Sequence, residues 1–284
     1  MSSTFWIVLS STLALSAPLM LSSMGGLTSE RSGVMNIALE GFMLTAACVA
    51  ALVGGSTGNA FLGLGAGLAS AVLMSLLHGL LTQVYHIDHI VSGMALNALA
   101  FGGTNFLDKR FTDAERVGAI PGFSMTAYLV AAFAFPVFIW LYLRGTRGGL
   151  RLLAVGNDPE KARQTGIEPI KVRIWSLLWT GIFCGVAGVM IVTNAGRFTD
   201  GMTAGKGFIA LAALIIGGWR PLPAAAACLV FGAFEALQLQ LQGTHFLGAD
   251  IPSEVWNALP YAVTIIALAG LLGRNRAPAG LGKD

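Results

Sequence analysis

The chain predicts an all-α fold, a polytopic membrane helix bundle of about nine transmembrane spans, and three observations predict it. Hydrophobic residues make up 55% of the 284, charged residues only 11%, and mean hydropathy is +0.73; average globular chains carry roughly 25% charged residues. Apolar windows of about 20 residues, the length that crosses a bilayer, recur along the chain. Between them lies one polar loop, 144–173, with seven of the seventeen Lys and Arg residues.

The windows fall at 5–24, 34–54, 60–82, 87–107, 124–143, 174–194, 206–218, 221–241 and 255–273. The first has neither a basic leader nor a small-residue cleavage site before the polar run 28–31, so it reads as a span and not a secretory leader. The seventh is short and is either a span or a re-entrant segment. No Pro-rich linker or low-complexity tract interrupts the series, so 1–284 reads as one transmembrane domain.

Within the polar loop, Asp158-Pro159 opens and Gly166 closes a very short helix. Asp suits the N-cap, Pro the first helical position and Gly the residue past the end. A helix of about two turns is marginal alone in water, so a partner protein is expected to hold it. If the loop is cytoplasmic, twelve Lys and Arg lie inside and five (Lys109, Arg110, Arg116, Arg197, Lys206) outside. That follows the positive-inside bias and places the C-terminus in the cytoplasm and the N-terminus outside.

Some motifs carry no function on this reading. His86-Ile-Asp-His89 has too few ligands for a metal site and reads as a solvated turn. The segment 201–207, GMTAGKG, is one residue short of a phosphate loop and lacks its Ser/Thr. Gly63-xxx-Gly67 and Gly181-xxx-Gly185 are helix-packing patterns. Cys48, Cys184 and Cys228 lie inside apolar windows, far apart in sequence. No metal, cofactor or nucleic-acid partner is expected.

Polar residues inside spans carry the stronger signal, because a carboxylate at membrane depth normally faces protein or a water-filled cavity. Asn36 and Glu40 share one face of the second window. Phe231, Glu235, Gln238 and Gln242 form one stripe along the eighth, suited to a hydroxyl-rich or heterocyclic solute in transit. Asn97 and Asn194 are further candidates. Interhelical hydrogen bonding is the alternative role for all of them.

Four segments then resemble a known family. ERSGVMNIALEG at 30–41, VSGMALN at 91–97, AVGNDPEKARQTGI at 154–167, and GKGFIALAA at 205–213 with the following GGWRPL occur in that order. Together they resemble bacterial ABC-importer permeases of the nucleoside and simple-sugar type, within the branched-chain amino acid/ribose permease superfamily. Ala38, Asp158 and Pro223 depart from the family pattern and remove none of the polar candidates. The resemblance implies a permease subunit forming the translocation pathway for a nucleoside or simple sugar in the bacterial inner membrane. It is not itself an enzyme: ATP hydrolysis falls to a separate cytoplasmic ABC ATPase. A second permease chain, usually non-identical, and an extracytoplasmic solute-binding lipoprotein complete the system. The short helix becomes the coupling helix, with Gly156, Asn157, Asp158, Pro159, Glu160, Arg163 and Gly166 as the ATPase-coupling residues. The rival reading is an ion-coupled secondary transporter of a small polar solute, using Glu40 and Glu235.

Overall fold

In the computed structural model the polar run 28–31 does not end the first helix. Residues 2–111, 120–241, 245–246, 249–250, 262, 265–266, 269 and 277–283 are described. Helix α1 runs Ser2–Arg31, past the boundary that polarity predicts, because neighbouring helices satisfy its polar end. Thr28 Oγ1 lies 3.1 Å from Thr180 Oγ1, and Trp219 Nε1 donates to Glu30 at 2.5 Å. Just beyond, Ser32 Oγ lies 2.7 Å from Ser176 Oγ. A polar residue ends a membrane helix only when nothing inside the bundle bonds it.

A non-helical strap, 32–38, follows. Then come α2 (Leu39–Thr57), α3 (Ala60–Gln83), α4 (His89–Phe111) and α5 (Met125–Gly145). Asn59 caps α3 through Phe61 N and Leu62 N, Asp88 caps α4 through Ile90 N and Val91 N, and Ser124 caps α5 through Ala127 N. His89 is not in a solvated turn: it is 5% exposed, and its Nδ1 accepts from Met35 N at 3.0 Å.

The polar loop holds two helices where the sequence suggests one, α6 (Arg147–Asn157) and α7 (Pro159–Gln164). Three glycines hide α6 from propensity, but Thr146 caps it through Gly149 N and it buries Leu152 and Val155. After α8 (Pro169–Ala195) come α9 (Lys206–Ile216) and α10 (Pro221–Leu241). Two-residue strands β1 (His245–Phe246) and β2 (Ala249–Asp250) pair antiparallel.

Among the described residues seven helices are long and apolar enough to cross a membrane: α1 to α5, α8 and α10. Of the nine windows, 206–218 is an 11-residue helix, too short to span. The window 255–273 lies outside the described residues save for four positions, as do Gln242, Arg116, Arg274 and Arg276.

Small residues let the helices close on one another, as expected where apolar burial alone does not drive association. A Cβ on Gly181 would stand 2.6 Å from Val72 Cα, joining α8 to α3, and one on Gly67 2.6 Å from Val189 Cγ2. On Gly188 it would stand 2.1 Å from Met43 O, at the contact of α8 with α2. Phe42, Met43, Ala46, Cys184, Ala187 and Met190 fill the core beside that contact. Gly188→Leu is therefore expected to destabilise the protein by more than about 3 kcal/mol, the upper end for overpacking, read as a lower thermal midpoint in detergent.

Candidate functional site

Glu40 is fully buried, and its carboxylate occupies the N-terminus of α9. Thr203 Oγ1 donates to Oε1 at 2.6 Å, Gly205 N to Oε1 at 2.8 Å and Gly207 N to Oε2 at 2.7 Å. The backbone makes this possible: Gly201, Ala204 and Gly205 all have positive φ (65°, 48° and 80°), which turns successive N–H groups inward. Such a nest at a helix N-terminus binds anions. The segment that resembles a phosphate loop thus receives a carboxylate from α2.

The other early candidates gather around it. Asn97 Oδ1 accepts from Gly41 N at 2.8 Å, and its Nδ2 donates to Ile37 O at 3.0 Å, tying α4 to the strap and to the first turn of α2. Asn36 does not share a helical face with Glu40, because α2 begins only at Leu39 and Asn36 lies in the strap; it is buried, its Oδ1 accepts from Ala38 N at 3.0 Å, and its Nδ2 has no partner among the described residues. Two paths along helices set the depth of this cluster. From His89 to Asn97 α4 rises about 12 Å, and from Ile216 to Lys206 α9 rises about 15 Å. With the start of α4 and the end of α9 taken as one boundary of a bilayer core about 30 Å thick, Glu40 and the start of α9 lie near its middle. A half-helix ending at mid-membrane on an anion is a recurrent transporter device.

One residue further, Lys206 Nζ pairs with Glu235 Oε1 of α10, the two side chains being 14% and 21% exposed. This pair is partly accessible at that depth. Of the α10 stripe, Glu235 and Gln238 are half-buried, while Phe231 is 3% exposed and packs in a cluster with Leu19, Met20 and Ile209. Asn194 stands apart, exposed at the end of α8, its Nδ2 3.5 Å from Met125 Sδ. Sequence reasoning missed Thr203, Gly205 and Lys206 as members of the cluster. Their signal was the glycine spacing of 201–207, which as a nucleotide motif is incomplete.

At the opposite end of α9 lies the loop face. Asp158 caps α7: its Oδ1 accepts from Lys161 N at 3.0 Å. Pro159 holds the first position. Gly166 has φ 83°, and Gly166 N donates to Arg163 O and Ile167 N to Ala162 O, both at 3.0 Å. That pair of bonds is the Schellman closure, which needs the left-handed residue that Gly supplies. Ala162 is buried, while Asn157, Glu160, Lys161, Arg163 and Gln164 are exposed. Gly156 is buried and packs so closely on α1 that a Cβ would stand 1.9 Å from Arg31 O.

Residues 277–283 clasp this elbow, and nothing in the sequence announced it. Gly280 N donates to Gly156 O and Gly282 N to Gly33 O, each at 2.9 Å. Arg173, 2% exposed, donates to Lys283 O at 2.6 Å, Gln83 Oε1 at 2.7 Å and Ser32 O at 3.3 Å. The clasp, the loop helices and the C-terminus of α1 therefore share one face.

Seven helices long and apolar enough to cross a membrane, with the shorter apolar α9 among them, define a polytopic membrane protein. Residues 8–268 match the family described as branched-chain amino acid transport system / permease component, and the chain belongs to that family. It is 36% identical to the guanosine ABC transporter permease protein NupQ of Bacillus subtilis, over 97% of this chain and 95% of that one. It is 34% identical to the nucleoside ABC transporter permease protein NupC of Lactococcus lactis, over 97% and 95%. A solved ABC transporter in an inward-facing conformation superposes with a TM-score of 0.53 at 16% identity, over 93% of this chain and 85% of that one. The chain is a permease subunit of an ABC importer.

Two outcomes follow from this geometry. Glu40→Gln replaces one carboxylate oxygen with an NH2 group, which leaves at least one backbone N–H of 205–207 facing a donor, and is expected to destabilise the protein by about 1–3 kcal/mol, the range for an unsatisfied buried group, read as a thermal midpoint in detergent. The Lys161 backbone N–H and side chain hold the Asp158 carboxyl below its usual range. A depressed pKa stabilises above the unfolded value and is lost as pH falls through the folded one. Amide protection across α7 should thus be flat from neutrality down to about pH 4, decline only below it, and be lost at all pH values in Asp158→Ala. Hydrogen exchange read by mass spectrometry checks both.

Proposed function

We propose that the chain lines one wall of a pathway for nucleosides, the other wall being a second permease chain. The observation that carries this is the Lys206–Glu235 pair, partly accessible near mid-membrane, in a chain so similar to permeases named for guanosine and nucleosides. Ribose hydroxyls and base N–H groups suit a carboxylate acceptor, and base carbonyls and ring nitrogens suit an ammonium donor. Glu235 and Gln238 are the contacts we assign to the solute. Glu40, Asn36 and Asn97 hold the half-helix that presents them, and Phe231 backs α10.

We further assign the loop face to the cytoplasm, where a separate ATPase subunit grips α7 through the exposed Glu160 and Arg163. This side follows the charge bias, and an isolated six-residue helix needs such support. A solute-binding lipoprotein delivers from the other side. Motion of α7 reaches the strap by two short paths, Gly156 against Arg31 and the clasp against Gly33, and the strap leads to Glu40 and the start of α9.

In proteoliposomes holding the whole complex, Glu235→Ala is expected to lower ATP-dependent guanosine uptake by about 10²-fold, the loss of a desolvated contact of a few kcal/mol, with assembly intact. Normal uptake by the assembled variant removes Glu235 from the pathway. Gly166→Val strains a φ of 83° and should uncouple ATPase stimulation from solute; unchanged coupling sinks the assignment of α7. Uptake that ignores ATP and collapses with an uncoupler overturns the whole reading.

A further inference from the structure

The polar loop leaves a cleft that neither the solute pathway nor the coupling helix uses. Between the foot of α5, α6 and the first turns of α8 is a cavity of about 180 Å³, lined among others by Tyr142, Arg151, Trp175 and Trp179. It adjoins a second of about 350 Å³, to which Arg151, Lys171 and Trp175 also contribute. The two share Arg151, Val172 and Trp175, so they form one groove with Arg151 at its centre.

The groove is graded in polarity along the membrane normal. Pro169 begins α8, so Trp175 lies about 9 Å and Trp179 about 15 Å along the helix from its loop-face end. These two side chains stand one turn apart on one face, and both are exposed, at 66% and 39%. Trp175, nearer the loop face, is at the level where indoles outside a bundle mark the boundary between headgroups and acyl chains, and Trp179, one turn deeper, faces the acyl chains. At the loop-face end the charge is positive. Arg147 and Arg151 are exposed on α6, Arg144 lies 5.0 Å over the Trp140 ring, and Lys171 pairs with Glu168 at 2.8 Å. Among the described residues that line the groove, the one carboxylate is Glu168. The Arg151 side chain has no hydrogen bond or ion pair among the described residues.

We infer that this groove binds an anionic phospholipid of the leaflet on the loop side, its phosphate held by Arg151 and Lys171 and an acyl chain laid along Trp175 and Trp179. Both halves of the chemistry are required. A small soluble anion would use the cations but leave the indole wall bare. A zwitterionic lipid would cover the indoles but carry no net charge for Arg151. Basic pockets between membrane helices at this depth hold anionic headgroups, and guanidinium matches phosphate through paired N–H donors. The site lies beside α6 and is independent of the nucleoside reading.

The test uses the full-length protein with whatever subunits co-purify, delipidated in detergent and titrated with phosphatidylglycerol, phosphatidylcholine or inorganic phosphate under native mass spectrometry. Phosphatidylglycerol is expected to be retained over phosphatidylcholine, with phosphate competing only weakly. Arg151→Gln should weaken phosphatidylglycerol about tenfold, the loss of a charge-assisted contact, and Arg151→Lys should restore part of it. Arg151 is exposed, so both variants should keep the wild-type thermal midpoint. Brominated phosphatidylglycerol should quench tryptophan fluorescence, and less so in Trp175→Phe/Trp179→Phe. Equal retention of the two lipids, displacement by phosphate at matched concentration, or retention unchanged in Arg151→Gln would each overturn the assignment. So would a photocrosslinker at position 175 that captures the second permease chain in place of lipid.

Discussion

A carboxylate held by backbone N–H groups at mid-membrane organises the rest of this protein. Glu40, fully buried, accepts bonds from Thr203 Oγ1, Gly205 N and Gly207 N. Without Glu40, the start of α9 would leave N–H groups unpaired at the positive end of the helix dipole. Glu40 is a charge that could not otherwise be buried. Each supplies what the other lacks, and the exchange lets a helix begin inside the bundle.

That exchange has a geometric consequence. For α2 to deliver Glu40 at that depth, the chain after α1 must climb through the bundle as non-helical strap 32–38, with polar backbone groups that need partners. Asn97 takes Ile37 O and Gly41 N, and His89 takes Met35 N. Irregular backbone at membrane depth persists only where protein satisfies it in this way. The same depth brings Lys206 opposite Glu235, so the structural ion and the accessible pair are neighbours by construction.

The loop face is built on a different principle, close approach of backbone to backbone. Gly156 lets α6 seat on Arg31 O, and Gly280 and Gly282 bring residues 277–283 within bonding distance of Gly156 and Gly33. Arg173 then satisfies carbonyls from the strap and from 277–283 with a single guanidinium. These contacts join α1, α6, α8 and 277–283 at one face, opposite the start of α1.

The sequence alone determined what local chemistry determines. Apolar windows located the spanning helices, because each needs its own length of apolar side chains. Asp158, Pro159 and Gly166 bounded α7, because caps are set by residues within a turn. The motifs at 30–41 and 205–213 marked the segments that meet at Glu40 without revealing that they meet. Only the tertiary structure decided that 28–31 stays helical, that α6 exists, that 206–216 is a half-helix, and that Glu40 is bound while Glu235 stays accessible. Most of those outcomes depend on partners far away in the chain, such as Thr203 at a separation of 163 from Glu40 and Lys206 at 29 from Glu235, and pairings over such distances leave no periodicity in the chain to read.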